Sequence, residues 1–290
     1  MAEQNVKPAG LFHTSETAWC PGCGNFMILE CLQQALNELG RRPQDVLIVA
    51  GIGQAAKIPQ YINANSFCGL HGRAVPPAVA AKIANENLTV IVESGDGDTY
   101  GEGGNHWIHN IRRNVDITHF VHDNQIYGLT KGQASPTSQA GHVTDAQPQG
   151  VINTPLNPVL LALALEAGFV ARAFAGHKEQ LTAIMKEAIQ YRGYALVDIL
   201  QPCVSFNKVN TFADYSHRVY PLPPEYDPSD RAAAMIKAME VGEKIPTGIL
   251  YRVDKKTYHE KQAVLASGRP LRDRPYDRAA FEQIIRQLQA

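Results

Sequence analysis

Two short apolar runs, residues 88–92 and 117–121, each end abruptly in a polar turn: Gly95-Asp96-Gly97-Asp98 after the first, Asp123-Asn124 after the second. Runs of this length, rich in β-branched residues and bounded by turn signals, read as buried strands. Between them Gly101, Gly103 and Gly104 lead into a helical pattern over residues 105–113. Strand, turn, helix and strand in that order build a parallel sheet. Open α/β sheets bind ligands outside the carboxyl ends of their strands, where Asp96 and Asn124 are released. A glycine-rich turn before a helix presents backbone N–H groups and a positive dipole end to a phosphate. Hard oxygen donors beside such a cradle suit Mg²⁺, which takes one or two side chains plus phosphate and water oxygens. Gly-Asp-Gly alone is also what an ordinary strand-end turn looks like. The second strand, ending in Asn, sharpens the signal.

The rest of the chain extends the same pattern. Residues 25–39 carry apolar side chains at helical spacing, and Gly40 stops them as a C-cap would. Residues 46–50 form an apolar strand that turns at Gly51-Ile52-Gly53. Residues 54–74 read as an irregular loop holding Lys57, Cys68, Leu70, His71, Gly72 and Arg73. Pro76-Pro77 opens a helix to about residue 84, since proline is tolerated at a helix start. Residues 132–155 form a long loop, and loops of that length are commonly functional. A helix over 157–166, a strand over 169–174, a helix over 179–190 and a strand over 195–200 follow. The fold class expected is α/β with a doubly wound parallel sheet, carried by residues 1–205. After residue 206 the strand pattern stops, and prolines give way to helices near 230–241 and 278–289. Residues 206–290 therefore read as a C-terminal extension packed on the core or on a partner subunit.

Bulk properties exclude several classes. A net charge of −1 over 290 residues offers no basic face to nucleic acid. No run approaches the ~18 apolar residues that span a bilayer, and residues 1–8 lack the apolar core of a signal peptide. A cytoplasmic setting is the expectation. Five cysteines in such a chain point to thiol chemistry or metal binding rather than a disulfide framework.

Cys20-Pro21-Gly22-Cys23 admits three readings. A thioredoxin-like redox pair should follow a buried strand, but residues 12–19 are polar. A structural zinc site needs a second cysteine or histidine pair. An iron–sulfur cluster is held by four thiolates, of which C-x-x-C supplies two. Cys203, at a strand's carboxyl end, falls on the same sheet edge as Asp96 and Asn124.

Residues 19–25 (WCPGCGN), 70–74 (LHGRA), 95–98 (GDGD), 121–124 (VHDN), 127–137 (YGLTKGQASPT) and 200–203 (LQPC) occur in this order. Together, over roughly residues 15–205, they resemble the β subunit of a 2-oxoacid:ferredoxin oxidoreductase. The resemblance implies the diphosphate-binding half of a thiamine diphosphate fold. It assigns Mg²⁺ to Asp96, Asn124 and the carbonyl of Ile126. It also implies cofactor contacts from Gly53, Gln54, Leu70, His71, Gly72, Gly95, Gly97, Asp98, Gly128, Leu129 and Thr130. A [4Fe–4S] cluster is implied on Cys20, Cys23 and Cys203. The family's remaining cysteine follows the Gly-x-Gly of the first strand, where this chain has Gln54. A thiolate suits iron better than an amide, so Cys68 is the expected fourth ligand, with Cys31 a helix core residue.

The activity implied is CoA-dependent oxidative decarboxylation of a 2-oxoacid. Electrons pass through the cluster to ferredoxin, and an α subunit supplies the carboxylate that activates the cofactor. His71 is expected in the active site. Lys131, next to the turn at the diphosphate, could pair with a distal carboxylate, which favours 2-oxoglutarate (to succinyl-CoA) over pyruvate. A pyruvate-specific enzyme and a non-catalytic iron–sulfur electron-transfer module are the alternatives, and Asp96 with Asn124 speaks against the latter.

Overall fold

The computed structural model describes residues 10–13 and 15–289. Its strands, in chain order, are β1 (Val46–Ala50), β2 (Asn65–Cys68), β3 (Thr89–Gly95), β4 (Ile117–Asp123), β5 (Ile126–Tyr127), β6 (Gln133–Ala134), β7 (Phe169–Phe174), β8 (Tyr194–Leu200), β9 (Val219–Pro221) and β10 (Ile245–Arg252). β5 and β6 make a small antiparallel hairpin. The other eight form one sheet in the order β2-β1-β3-β4-β8-β7-β10-β9. Pairing is parallel from β2 through β7, and β10 is antiparallel to β7 and parallel to β9.

Among the described residues the α-helices are α1 (Gly24–Glu38), α2 (Ile58–Tyr61), α3 (Val75–Ala84), α4 (Gly104–Arg113), α5 (Pro158–Ala164), α6 (Lys178–Gln190), α7 (Phe212–Arg218), α8 (Arg231–Ala238), α9 (Tyr258–Lys261) and α10 (Arg278–Gln289). Successive strand residues point to opposite faces, and both faces of the central strands are buried, which is why they read as continuous apolar runs. On one face Ile48, Ile91, Phe120 and Val197 pack with Ile28 and Leu32 of α1 and with Leu181 and Met185 of α6. On the other, Val49, Val92, Val121 and Leu196 meet Ala78 of α3, Trp107 of α4 and Leu163 of α5. The sheet is doubly wound, as expected. No helix among the described residues is long and apolar enough to cross a membrane.

Three sequence expectations change. β3 and β4 do not end with their apolar runs but continue through Glu93-Ser94-Gly95 and His122-Asp123, because the polar side chains find buried partners. Glu93 Oε2 lies 2.8 Å from His122 Nε2, and His122 Nδ1 lies 2.7 Å from Asn25 Oδ1. Ser94 Oγ lies 2.7 Å from His119 Nε2. Secondly, residues 54–74 are not irregular throughout: they hold α2 and β2, whose exposed side chains hide its strand character. Thirdly, the sheet does not stop near residue 206. β10 carries Pro246 and Gly248, residues that argue against a strand in sequence, yet it pairs along β7. Ala234 and Ala238 of α8 and Leu250 of β10 complete the second core. The C-terminal extension is part of the α/β body, while α10 buries none of its side chains.

His119 sits fully buried between Ser94 and Tyr194, whose hydroxyl is 2.9 Å from Nδ1. Burial, with His122 nearby, pushes its pKa down to about 3, whereas an unfolded histidine titrates near ~6.5. Between those values the unfolded chain binds a proton that the folded chain refuses. Stability therefore falls as pH drops through that window, by up to about 1.4 kcal/mol per pH unit. His119→Gln should flatten the decline in melting temperature between pH 7 and 5, followed by circular dichroism. An unchanged slope would assign the acid sensitivity to other groups.

Candidate active site

Parallel pairing brings the carboxyl ends of β1, β3, β4 and β8 to one edge, and a cavity of about 430 Å³ opens there. Gly53, Gln54, His71, Gly95, Asp96, Gly97, Asp98, Asn124, Ile126, Gly128, Leu129 and Thr130, all named as candidate site residues from the sequence, line it together. Tyr127, Glu102 and Gln133 line it too. After β3 the chain makes a turn of π-helix, Gly97–Glu102, before α4, a distortion found mostly at functional sites. Glycine is required at 97, where a Cβ would stand 2.3 Å from the Tyr127 ring.

Asp98 holds the edge together. Its Oδ1 accepts the N–H of Gly72 (2.7 Å) and of Ile52 (3.1 Å), so one carboxylate ties the turn after β1 and the His71 loop to the end of β3. Burial pushes its pKa up to about 6, against the pull of those two N–H groups. Gly72, with φ +66 and the Glu102 backbone 2.3 Å from a would-be Cβ, admits no side chain. It serves through this bond and does not line the cavity. Leu70 is 73 % exposed and does not line it either. Lys131 stands one residue beyond Thr130, exposed and in the left-handed region at φ 79, a conformation costly for a lysine.

Behind the cavity lies a buried charged layer. Thr137 Oγ1 is 2.6 Å from Asp96 Oδ2 and 2.8 Å from Asp123 Oδ1. Asp198 accepts the Tyr100 hydroxyl at 2.7 Å. Burial raises the pKa of all three aspartates; Asp198 and Asp96 push Asp123 higher still, and the Arg172 guanidinium draws Asp198 back down. Arg172 also donates to the carbonyls of Ala238 and Glu240 at the end of α8, coupling the C-terminal extension to this layer.

A second, smaller pocket adjoins the first. Cys20, Cys23 and Cys203 line it with Asn25, Gln201 and Phe206, and Gln54, Asn124 and Gly128 line both pockets. Trp19 Nε1 donates to the Gln54 carbonyl (2.9 Å), and Gly24 N–H to that of Pro202 (3.4 Å), holding the two cysteine segments side by side. Burial pushes the Cys23 thiol up to about 11, with Cys203 and Cys20 adding to the rise. Cys31 is a core residue of α1, as expected. Cys68 is not brought to the pocket. It lies exposed at the end of the edge strand β2, in register with Ala50. Gln54 does reach it. Among the described residues, no three histidine, cysteine, aspartate or glutamate side chains converge as ligands of a single metal ion.

A family model of the C-terminal thiamine pyrophosphate-binding domain of thiamine pyrophosphate enzymes matches residues 47–199. One of the C-terminal region of the pyruvate ferredoxin oxidoreductase β subunit matches residues 203–267. The chain is 44% identical over 257 residues to the β subunit of 2-oxoacid:ferredoxin oxidoreductase from Saccharolobus solfataricus, covering 84% of each chain. The chain belongs to this family of β subunits. It is also 47% identical over 205 residues to the 2-oxoglutarate oxidoreductase subunit KorB of Mycobacterium tuberculosis, covering 71% of this chain and 55% of that one. A solved 2-oxoglutarate:ferredoxin oxidoreductase from Magnetococcus marinus, with 2-oxoglutarate, coenzyme A and succinyl-CoA bound, matches at TM-score 0.88 and 37% identity over 94% of both chains.

In this 2-oxoacid:ferredoxin oxidoreductase β subunit the thiamine diphosphate domain carries the whole of the main cavity. Sequence reasoning missed Tyr127, Glu102 and Gln133 in its lining, and it gave Thr137 no role. Tyr127, Gln133 and Thr137 stood inside a recognised motif; Glu102 carried no signal. Asp98→Ala in the β subunit should speed hydrogen exchange at the amides of Ile52 and Gly72, read by mass spectrometry of the peptides that contain them. Protection unchanged at both would show that Asp98 does not secure these turns.

Proposed function

We propose that this chain binds thiamine diphosphate with Mg²⁺ and, joined to an α subunit, oxidatively decarboxylates 2-oxoglutarate with CoA while a [4Fe–4S] cluster on its cysteines delivers electrons to ferredoxin. The observation that carries this reading is the pair of adjoining pockets, one lined by Asp96 and Asn124 and the other by three cysteines, sharing Gln54, Asn124 and Gly128 as a wall. Thiamine diphosphate, when bound, supplies the carbanion that adds to the 2-oxo carbon and stores the electrons left on loss of CO₂.

The donor set fits a hard divalent cation. Asp96 would give an anionic oxygen and the Asn124 amide and Ile126 carbonyl neutral ones, leaving the remaining positions to diphosphate and water oxygens. Among the described residues no lysine or arginine lines the cavity, so a buried Asp96 carboxylate has no cationic side chain from them there to offset it. The cysteine set fits a cluster better than a lone ion, because each thiolate of a cluster binds a different iron. Cys20, Cys23 and Cys203 would hold three irons, and Gln54 stands where a fourth ligand is needed. Cys68 is withdrawn as that ligand because it does not line the pocket.

His71 lines the cavity and is exposed. Lys131, exposed and next in sequence to the cavity-lining Thr130, would meet the distal carboxylate of a dicarboxylic substrate. Relatives named for 2-oxoglutarate and the 2-oxoglutarate-bound homologue support that substrate.

The reconstituted α/β complex should reduce ferredoxin or a viologen with 2-oxoglutarate and CoA, and activity confined to pyruvate would replace the substrate assignment. Lys131→Ala should lower kcat/KM for 2-oxoglutarate about ten- to a hundred-fold more than for pyruvate, the cost of one charge-assisted hydrogen bond. Cys203→Ser, purified without oxygen, should lose iron and change the reduced EPR spectrum, whereas Cys68→Ser should match the unsubstituted chain in both. Full iron in Cys203→Ser would overturn the cluster assignment.

A further inference from the structure

Ser135-Pro136-Thr137 ends a motif whose first residues face the cavity, and Ser138 follows it, yet neither Ser135 nor any residue after it lines the main cavity. Its side chains turn instead to the underside of the two turns that carry Asp96 and Asn124. Thr137 is 3 % exposed and Ser138 1 %. Ser138 Oγ donates to the carbonyl of Gln125 and accepts the N–H of Ser135 at 2.8 Å. Gln125, at φ 58, is the left-handed residue between Asn124 and Ile126. Pro136 closes against Gly101 in the π-helical turn. From this rigid base the Thr137 hydroxyl reaches both Asp96 and Asp123. It carries one hydrogen and can donate to one of them; the shorter contact, 2.6 Å, is to Asp96 Oδ2. That contact, with further hydrogen bonds to the carboxylate from the Ser135 side chain and the Gly97 N–H, sets the orientation of the Asp96 carboxyl.

We propose that Thr137 is a positioning residue for the metal site: its hydroxyl orients the Asp96 carboxylate toward the diphosphate cavity, and Ser138 holds the facing turn of Asn124 and Ile126 in register with it. This rests on the reading that Asp96 is the Mg²⁺ ligand. A carboxylate with free rotation must be ordered each time a cation binds, and a hydroxyl fixed by its own backbone removes that cost. Groups that orient a ligand in this way typically account for about 10- to 100-fold in metal affinity.

The test uses the α/β complex stripped of cofactor. Thiamine diphosphate binding is followed by calorimetry as a function of Mg²⁺ concentration, with melting temperature recorded alongside. Thr137→Val, which keeps the shape and removes the hydroxyl, should raise the Mg²⁺ needed for half-maximal binding about 10- to 100-fold, and Thr137→Ser should restore it to within about threefold. Asp96→Asn, run in parallel, should abolish the Mg²⁺ dependence. Unchanged Mg²⁺ dependence in Thr137→Val, with Asp96→Asn defective, would overturn the role of Thr137 alone. Normal binding in Asp96→Asn would overturn the metal assignment beneath it. A defect in Thr137→Ser with near-normal Mg²⁺ dependence in Thr137→Val would assign the effect to the methyl group's packing and reject the hydroxyl. Should Thr137→Val fail to assemble, Thr137→Cys, a weak donor of similar size, takes its place under the same criteria.

Discussion

One carboxylate oxygen decides where the cavity is. Asp98 Oδ1 takes the N–H groups of Ile52 and Gly72, which belong to two different turns, and draws both to the end of β3. Backbone donors at a buried edge must be satisfied by something, and here a side chain from the central strand does it. The strain is visible on both sides of the contact. Gly51 leaves no room for a side chain, because its Cβ would fall 2.0 Å from Asp98 Oδ2, and Gly72 has a positive φ. The position of His71 at the cavity, and of Gln54 between the two pockets, follows from this clamp.

Beneath the clamp the sheet's edge is unusually polar for a buried one. Glu93, His119, His122, Asp123 and Asp198 are all buried on the central strands. Each is matched by at least one neighbour: Glu93 to His122 and His119 to Tyr194 across adjacent strands, and Asp198 to Tyr100 in the π-helical turn. Such networks rigidify a site when satisfied and are costly when broken. They make the floor under Asp96 and Asn124 stiff, which suits turns that must hold a fixed geometry.

The sequence was most legible where chemistry and periodicity agreed. The apolar runs of β1 and β7 coincide with the strands, and every glycine and aspartate of the GDGD turn lies at the cavity. It was less legible wherever a polar residue was buried with a partner, since nothing local announces that His122 will meet Glu93. Cys68 shows a different limit. Ligand chemistry favours its thiol over the Gln54 amide, but residues 65–68 form an edge strand, and Cys68 does not line the pocket of Cys20, Cys23 and Cys203 whereas Gln54 does. β10 was hidden by Pro246 and Gly248, residues tolerated because pairing there is short and irregular, with a register shift between Ile249 and Tyr251.

β10 also changes what the C-terminal extension is for. β7 is buried along its whole length, and only β10 separates its outer edge from the short strand β9 and from solvent. A chain ending at residue 205 would expose a flat row of unpaired amide and carbonyl groups flanked by Phe169, Val170 and Phe174. Exposed edges of that kind pair with other chains. The antiparallel strand thus covers an edge that a shorter chain would leave open, and the segment that looks most like a tail completes the sheet.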